Sequence, residues 1–494
     1  MKTAAVIGAG VAGIAASIRL AIKGYDVTVF EANAYAGGKL SSFEVSGYRF
    51  DAGPSLFTMP ELVEDLFRLA DRKPEDYFEY IKLPETCRYF WDDGTNLTAH
   101  ANPNDFANEL QTKLGEPAQN TINHLKDSAI KYDVTQKLFL HRSLHKLGTY
   151  FNRDALKGYA NAHKLEAFKT MNAANTKRFK TPKAVQLFNR YATYNGSDPY
   201  QTPATMNIIP HLEYNIGAFF PVKGMVSITE SLLKLAQDLG VKFFFETKVT
   251  EIVYNNSEVT GLKFNANNSA TQQLNNSFNI VVSNMDVVST FRKLLPTAKQ
   301  PERILRQPKS SSALIFYWGI KKQFSNLGLH NIFFSDNYQG EFEAIFTQKT
   351  LFDDPTVYVN ITSKHKPDDA PNDCENWFVM VNAPNNDGQN WDELIASTRQ
   401  NIIKKLSKNL GQDISKLIDC EAILDPRTIE SRTSSSQGAL YGNSSNNRFA
   451  AFMRHANFSS QFHNLYFVGG SVHPGGGIPL CLLSAKVATD LINA

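Results

Sequence analysis

A mixed α/β fold is predicted, built on a parallel, Rossmann-like sheet that binds a dinucleotide and carries an inserted α+β lobe. Two glycine-rich strand–turn–helix units at opposite ends of the chain, and a strand-rich block between them, point to it. At the first end, Thr3-Ala4-Ala5-Val6-Ile7 reads as a short buried strand, Gly8-Ala9-Gly10-Val11-Ala12-Gly13 follows without a gap, and residues 14–23 read as a helix. Asp26-Val27-Thr28-Val29-Phe30 is the next strand, closed by Glu31. Gly8 permits the tight turn, Gly10 lets backbone approach a pyrophosphate, and Gly13 lets helix and strand pack closely. Glu31 falls eighteen residues after Gly13, where a carboxylate can accept hydrogen bonds from ribose hydroxyls. At the other end, a strand reaching Val468 meets Gly469-Gly470, then His473-Pro474-Gly475-Gly476-Gly477-Ile478-Pro479, and then a helix over 480–492. The positive helix end at Gly477 and Ile478 welcomes negative charge.

Between these ends the elements follow in order. Ala36-Gly37-Gly38-Lys39 and Asp51-Ala52-Gly53-Pro54-Ser55-Leu56 are two further turns that could wrap a long, tightly held cofactor. FAD is therefore favoured over a nicotinamide that must leave each turnover, and the charge of Glu31 disfavours a 2′-phosphate. Residues 61–72 read as a helix, 79–100 as strands around the Asp92-Asp93-Gly94 turn, and 103–190 as largely helical. A turn and helix over 221–240 lead to short strands at 241–245, 248–254 and 259–264, a polar surface loop at 265–277 and a buried strand ending at Asn284. Strands follow at 310–320, 331–335, 357–362 and 377–382, with a helix at 391–410. The expected division is a discontinuous FAD lobe (1–78, 221–299, 431–494), a substrate-side sheet lobe (79–102, 300–430) and a helical cap (103–220).

Length and composition agree with a chain of two or three lobes. The chain has 494 residues, with 51 basic and 48 acidic side chains, so no nucleic-acid partner is indicated. Its 4 cysteines show no paired spacing, so no metal site is expected and reduced thiols are the expectation. No apolar run is long enough to span a bilayer. The first strand begins within a few residues of Met1, which leaves no room for a secretory leader and suggests the cytoplasmic side.

The stretch 137–183 carries Lys137, Arg142, Lys146, Arg153, Lys157, Lys164, Lys169, Lys177, Arg178, Lys180 and Lys183 against Asp154 and Glu166. Leu138, Phe139, Leu140, Leu144, Leu147, Tyr150 and Phe151 are interleaved. A basic amphipathic segment of this kind suits an anionic membrane surface, and a solvated helical face over a core is the other reading.

The opening fingerprint, the turns at 36–39 and 51–55, Phe220-Pro221-Val222-Lys223-Gly224-Met225, Gly438-Ala439-Leu440-Tyr441-Gly442 and the terminal glycine motif together resemble the bacterial-type FAD-dependent carotenoid desaturases of the amine oxidase superfamily. Lys39 stands where that family more often has Arg, and Lys223 interrupts a turn that often carries two glycines. The resemblance implies an FAD lobe held by Gly8, Gly10, Ala12, Gly13, Glu31, Gly37, Gly38, Lys39, Gly53, Pro54, Ser55, Leu56, Val249, Asn284, Gly438, Gly469, Gly470, Gly477 and Ile478. Main chain at Val249 would hold adenine. It implies a carotenoid substrate collected at a peripheral membrane site, desaturation of a carbon–carbon single bond, and oxygen or a quinone as electron acceptor. The likeness leans to the branch that makes a 3,4 double bond in 1-hydroxylated acyclic carotenoid ends, with phytoene desaturase as runner-up. His473 is a candidate contact to flavin or substrate, or a structural loop histidine; Glu213 and Tyr441 are candidate proton acceptors or cavity walls. A carotenoid isomerase, a flavin amine oxidase and a prenyl-protein escort factor are the competing readings.

Overall fold

The computed structural model describes residues 2–266 and 277–493, so the loop expected at 265–277 lies largely outside the described residues. The first sheet is parallel and five-stranded, in the order Leu465–Phe467, Ile280–Ser283, Thr3–Ile7, Asp26–Phe30, Lys242–Phe244. Short runs such as Ala4-Ala5-Val6 are apolar on both faces because both faces are covered. On one side lie the helices Val11–Ile22, Val226–Asp238 and Ile478–Asp490, meeting through Ile14, Ile18, Leu232, Leu235, Leu482 and Ala485. On the other, Phe30, Val281 and Leu465 pack with Val249, Ile252 and Leu262 of the antiparallel hairpin Thr247–Asn255 and Glu258–Ala266.

The second sheet has seven strands, in the order Ile418–Leu424, Ser312–Ile320, Glu375–Ala383, Val357–Ile361, His330–Phe333, Glu85–Phe90, Asn96–His100. It is antiparallel except where His330–Phe333 pairs with Glu85–Phe90. Strand Ser312–Ile320 is buried throughout: Leu314, Phe316, Trp318 and Ile320 face the helix Trp391–Leu410, while Ala313, Ile315 and Tyr317 face the other way. The edge strand Ile418–Leu424 has no counterpart in the sequence reading, because Asp419 and Glu421 break its apolar pattern, Ile423 is exposed and the remaining residues are half-buried.

The basic stretch departs from a helical reading. It is cut into a π-turn at Gln136–Leu140, a 3-10 turn at Leu147–Tyr150, and the short helices Arg153–Asn161, Met171–Arg178 and Pro182–Asn189. Asn152 caps the helix Arg153–Asn161 by accepting from Asp154 N at 2.9 Å and Ala155 N at 3.0 Å. Several of its bases are also committed to ion pairs: Arg178 with Asp127 at 2.6 Å and with Glu166, Lys169 with Glu166 at 3.2 Å, and Arg142 with Asp154 at 2.9 Å.

Candidate active site

The ends of the parallel strands open onto a cavity of about 860 Å³ that runs from the glycine turns to one face of the seven-stranded sheet. Gly8, at φ +95°, makes the first turn, and Gly10 begins the helix Val11–Ile22 with no side chain capping its N–H groups. A Cβ at Gly13 would lie 2.1 Å from the Gly8 carbonyl oxygen, so only glycine admits this approach of helix to turn. Asn284 continues the neighbouring strand, donating its backbone N–H to Ile7 O at 2.8 Å and its side-chain amide to Gly8 O at 3.4 Å. The Glu31 carboxylate accepts from Ala9 N at 2.7 Å and Asn33 N at 2.8 Å, which holds it at the strand end beside the glycines.

The second glycine turn is laid on the first. Gly37 N donates to Ala9 O at 2.8 Å. Lys39, buried, donates through Nζ to the carbonyls of Ala439 and Leu440, each at 3.1 Å, and so joins this turn to the Gly438–Gly442 run. Burial pushes the Lys39 ammonium below the usual lysine range, with Asp286 opposing. The turn at Gly53 is equally close: a Cβ there would lie 1.7 Å from Lys39 O.

At the far end, Gly477, at φ +101°, precedes the helix Ile478–Asp490, which also lacks a side-chain cap. Two uncapped helix termini thus meet one cavity, an arrangement suited to the negative charge of a dinucleotide. Arg454, unnoticed in the sequence, ties the walls together by donating to Tyr441 O at 3.0 Å, Asn443 O at 3.0 Å and Gly470 O at 3.3 Å. Burial lowers its guanidinium to about 10. The only advance signal for it was an arginine between two glycine motifs.

Of the expected cofactor contacts, Gly8, Gly10, Ala12, Glu31, Gly37, Gly38, Lys39, Gly53, Pro54, Ser55, Leu56, Val249, Asn284, Gly469, Gly470, Gly477 and Ile478 line the cavity. Gly13 and Gly438 stand behind the wall, the latter because a Cβ would meet Pro426 O at 2.4 Å. Tyr441 also lines the cavity, and burial pushes its phenol up to about 12, so it remains protonated at neutral pH.

Two expected catalytic residues are placed elsewhere. His473 is buried outside the lining, with Nε2 donating to Arg142 O at 2.8 Å, and desolvation lowers its imidazole to about 4. It is a structural histidine fastening the cap to the terminal motif. Glu213 also lies behind the wall, accepting from Tyr191 Oη at 2.6 Å, from Tyr194 Oη, and from Arg190 at 3.4 Å. Its oxygens are occupied in holding that cluster, which leaves it no contact with the cavity.

A family model for flavin containing amine oxidoreductase matches residues 11–493. A 1-hydroxycarotenoid 3,4-desaturase from Flavobacterium sp. (strain P99-3) is 52% identical over 493 residues, covering 100% of this chain and 99% of the relative. A 4,4′-diapolycopene oxygenase from Methylomonas sp is 32% identical over 503 residues, covering 99% and 97%. Among solved structures, an oxidoreductase from Methanosarcina mazei superposes with a TM-score of 0.61 at 13% identity, over 99% of this chain and 100% of that one, which shows the fold alone. FAD is the cofactor that the glycine cradle holds, and when bound it supplies the two-electron acceptor. Glycine turns, uncapped helix ends and a match running nearly the length of the chain agree: this protein is an FAD-dependent oxidoreductase belonging to the flavin-containing amine oxidoreductase family.

Proposed function

We propose that the protein is a carotenoid desaturase, removing two hydrogens from the C3–C4 bond of a 1-hydroxylated acyclic carotenoid end. The observation that carries this reading is the 52% identity, across both whole chains, to a protein named for that activity. The cavity supports it. Ile315, Ile332, Phe378 and Met380 offer a long carbon chain an apolar floor opposite the glycine cradle. With Glu213 committed and Tyr441 protonated, the chain's part in the reaction is to hold one carbon–carbon bond in place and keep water away.

The substrate's insolubility favours collection at a membrane on the cytoplasmic side, with oxygen or a quinone receiving the electrons. In support, Phe151 and Phe168 are 85% and 86% exposed, and Leu147, Leu156 and Phe449 are exposed as well. Arg448 lies over both Phe168 and Phe449, and exposed Arg153, Lys164 and Lys177 belong to the same cap.

The test is an anaerobic single turnover of the yellow purified protein in liposomes, with a 1-hydroxylated acyclic carotenoid, phytoene and a cis-carotenoid in separate runs. Bleaching of the flavin, with a product two hydrogens lighter from the hydroxylated substrate, is expected. The oxygenase relatives at 32% identity favour a second reading, which requires oxygen and gives a heavier product. A geometric isomer with the flavin still oxidised at the end would replace both.

A further inference from the structure

The floor of the cavity changes character along its length. Pairing sets Ile315 opposite Met380 and Tyr317 opposite Phe378, then Met380 opposite Tyr358 and Phe378 opposite Asn360, then Asn360 opposite His330. The period of two brings all of these to one face. The first part of that face is apolar and aromatic. The last part is Tyr358, Asn360 and His330, overlooked by Arg190, whose guanidinium is held by the hydroxyls of Tyr89, Tyr191 and Tyr194. A pure hydrocarbon has no use for such an end, because each polar group there must be desolvated and partnered.

Almost all of these groups are partnered within the protein. The exception is His330, which is 5% exposed and lines the cavity. Its Nδ1 faces Tyr358 Oη at 2.7 Å and Asn360 Nδ2 at 3.2 Å. Asn360 Nδ2 also donates to Leu329 O at 3.0 Å, which fixes the amide orientation and presents only hydrogens to the ring. Nδ1 therefore accepts, and the ring proton sits on Nε2. Burial, with Arg190 adding, holds the imidazole down at about 3, so it is neutral. Nε2 is buried and has no partner among the described residues.

Tyr317 Oη is the other buried cavity-lining atom without a partner among the described residues. It lies three strands away, about 14 Å by strand spacing, with its ring between Phe43, Phe50 and Phe378. Nothing there fixes the direction of its rotatable hydrogen. The His330 proton, in contrast, is aimed by contacts on the opposite side of the ring. Tyr358 also bonds Ser55 Oγ at 2.7 Å, in a turn that lines the cofactor cavity. That placement matches the substrate chemistry: C1, which bears the hydroxyl, is only two bonds from C3, so the hydroxyl must be received close to the cofactor.

We propose that His330 is the specificity-determining residue, its Nε2–H donating a hydrogen bond to the C1 hydroxyl oxygen of the carotenoid, with Tyr358 and Asn360 as positioning residues. The inference rests on the desaturase reading above and supplies its basis for choosing a hydroxylated end.

Holoenzyme of the wild type, His330→Leu, His330→Gln and Tyr317→Phe is assayed with a 1-hydroxylated carotenoid and with its hydroxyl-free analogue. FAD content and Tm confirm the fold, and both kcat/KM and Kd for the oxidised enzyme are measured. His330→Leu is expected to cut the preference for the hydroxylated substrate about tenfold or more, with the loss concentrated in Kd for that substrate. His330→Gln keeps an N–H and should recover part of it; Tyr317→Phe should retain the wild-type ratio. An unchanged preference in His330→Leu, an equal loss on both substrates, or a collapse confined to Tyr317→Phe overturns the proposal. If His330→Leu does not fold, His330→Gln and Tyr358→Phe decide, and unchanged ratios in both overturn it. A wild type without preference for the hydroxyl overturns the hydroxylated-end reading itself, which separates the two failures.

Discussion

Gly13 shows how much one missing methyl group matters. With the Gly8 carbonyl oxygen 2.1 Å from where a Cβ would be, Gly13→Ala must push helix Val11–Ile22 off its strand. Overpacking of this sort costs about 1–3 kcal/mol. The expected result is a purified protein with a lower Tm and little flavin absorbance, read from the ratio of visible to ultraviolet absorption. His473 gives a pH-dependent case. An unfolded histidine takes up a proton near pH 6.5, whereas the buried one resists until about 4. Its contribution to stability is therefore intact above that window and lost as pH falls through it. His473→Gln should lose less stability than wild type between pH 7 and 4.5, seen in urea midpoints across pH. The glycines were legible in the sequence because their demand is local, a turn or an approach within a few residues. The roles of His473, Glu213 and His330 were not, because each is set by partners such as Arg142, Tyr194 and Asn360 that only the fold brings near.

At the scale of elements, the segment beginning at Asp51 does more than line a cavity. The Asp51 carboxylate accepts from Met225 N at 2.8 Å and Val226 N at 3.1 Å, capping helix Val226–Asp238, and pairs with Arg49 at 2.9 Å. Arg49 reaches on to Asp369 at 3.2 Å, so one ion cluster ties the cofactor turn, a helix start and the sheet lobe. Removing one member of a buried pair costs about 3–5 kcal/mol. Asp51→Ala should lower the urea midpoint strongly, and the Arg49–Asp51 double-mutant cycle should be non-additive. Strands Thr3–Ile7 and Asp26–Phe30 match their sequence reading residue for residue, since each is an apolar run bounded by a glycine turn or a charge. Strand Ile418–Leu424 escaped it because an edge strand with one solvent-facing row has no continuous apolar signal. The cap escaped for a different reason: its bases suggested one helical face, but Glu166 and Asp127 draw Arg178 inward, beside the buried Lys131.

For the whole molecule, the proposed membrane face rests on side chains rather than on helix continuity. No helix among the described residues is long and apolar enough to cross a bilayer. Inserting two aromatic rings is worth about 1.5–3 kcal/mol each when fully buried. Phe151→Asp with Phe168→Asp should weaken co-sedimentation with anionic liposomes more than tenfold, while turnover of detergent-dispersed carotenoid remains. Equal sedimentation of the variant and the wild type would remove this face from the account.

The order of strands in the parallel sheet also bears on how the chain is made. Thr3–Ile7 lies in the middle, with one neighbour at Asp26–Phe30 and the other at Ile280–Ser283, so that Ala4 waits for a residue 276 positions later. A ribosome adding about 5–20 residues per second needs roughly 14–55 s to deliver it. Throughout that interval an apolar strand emerges with one edge open, and Leu465–Phe467 arrives later still. Completion of this sheet therefore waits for most of the chain, and nascent chains arrested before residue 280 should depend on a holding chaperone to stay out of aggregates.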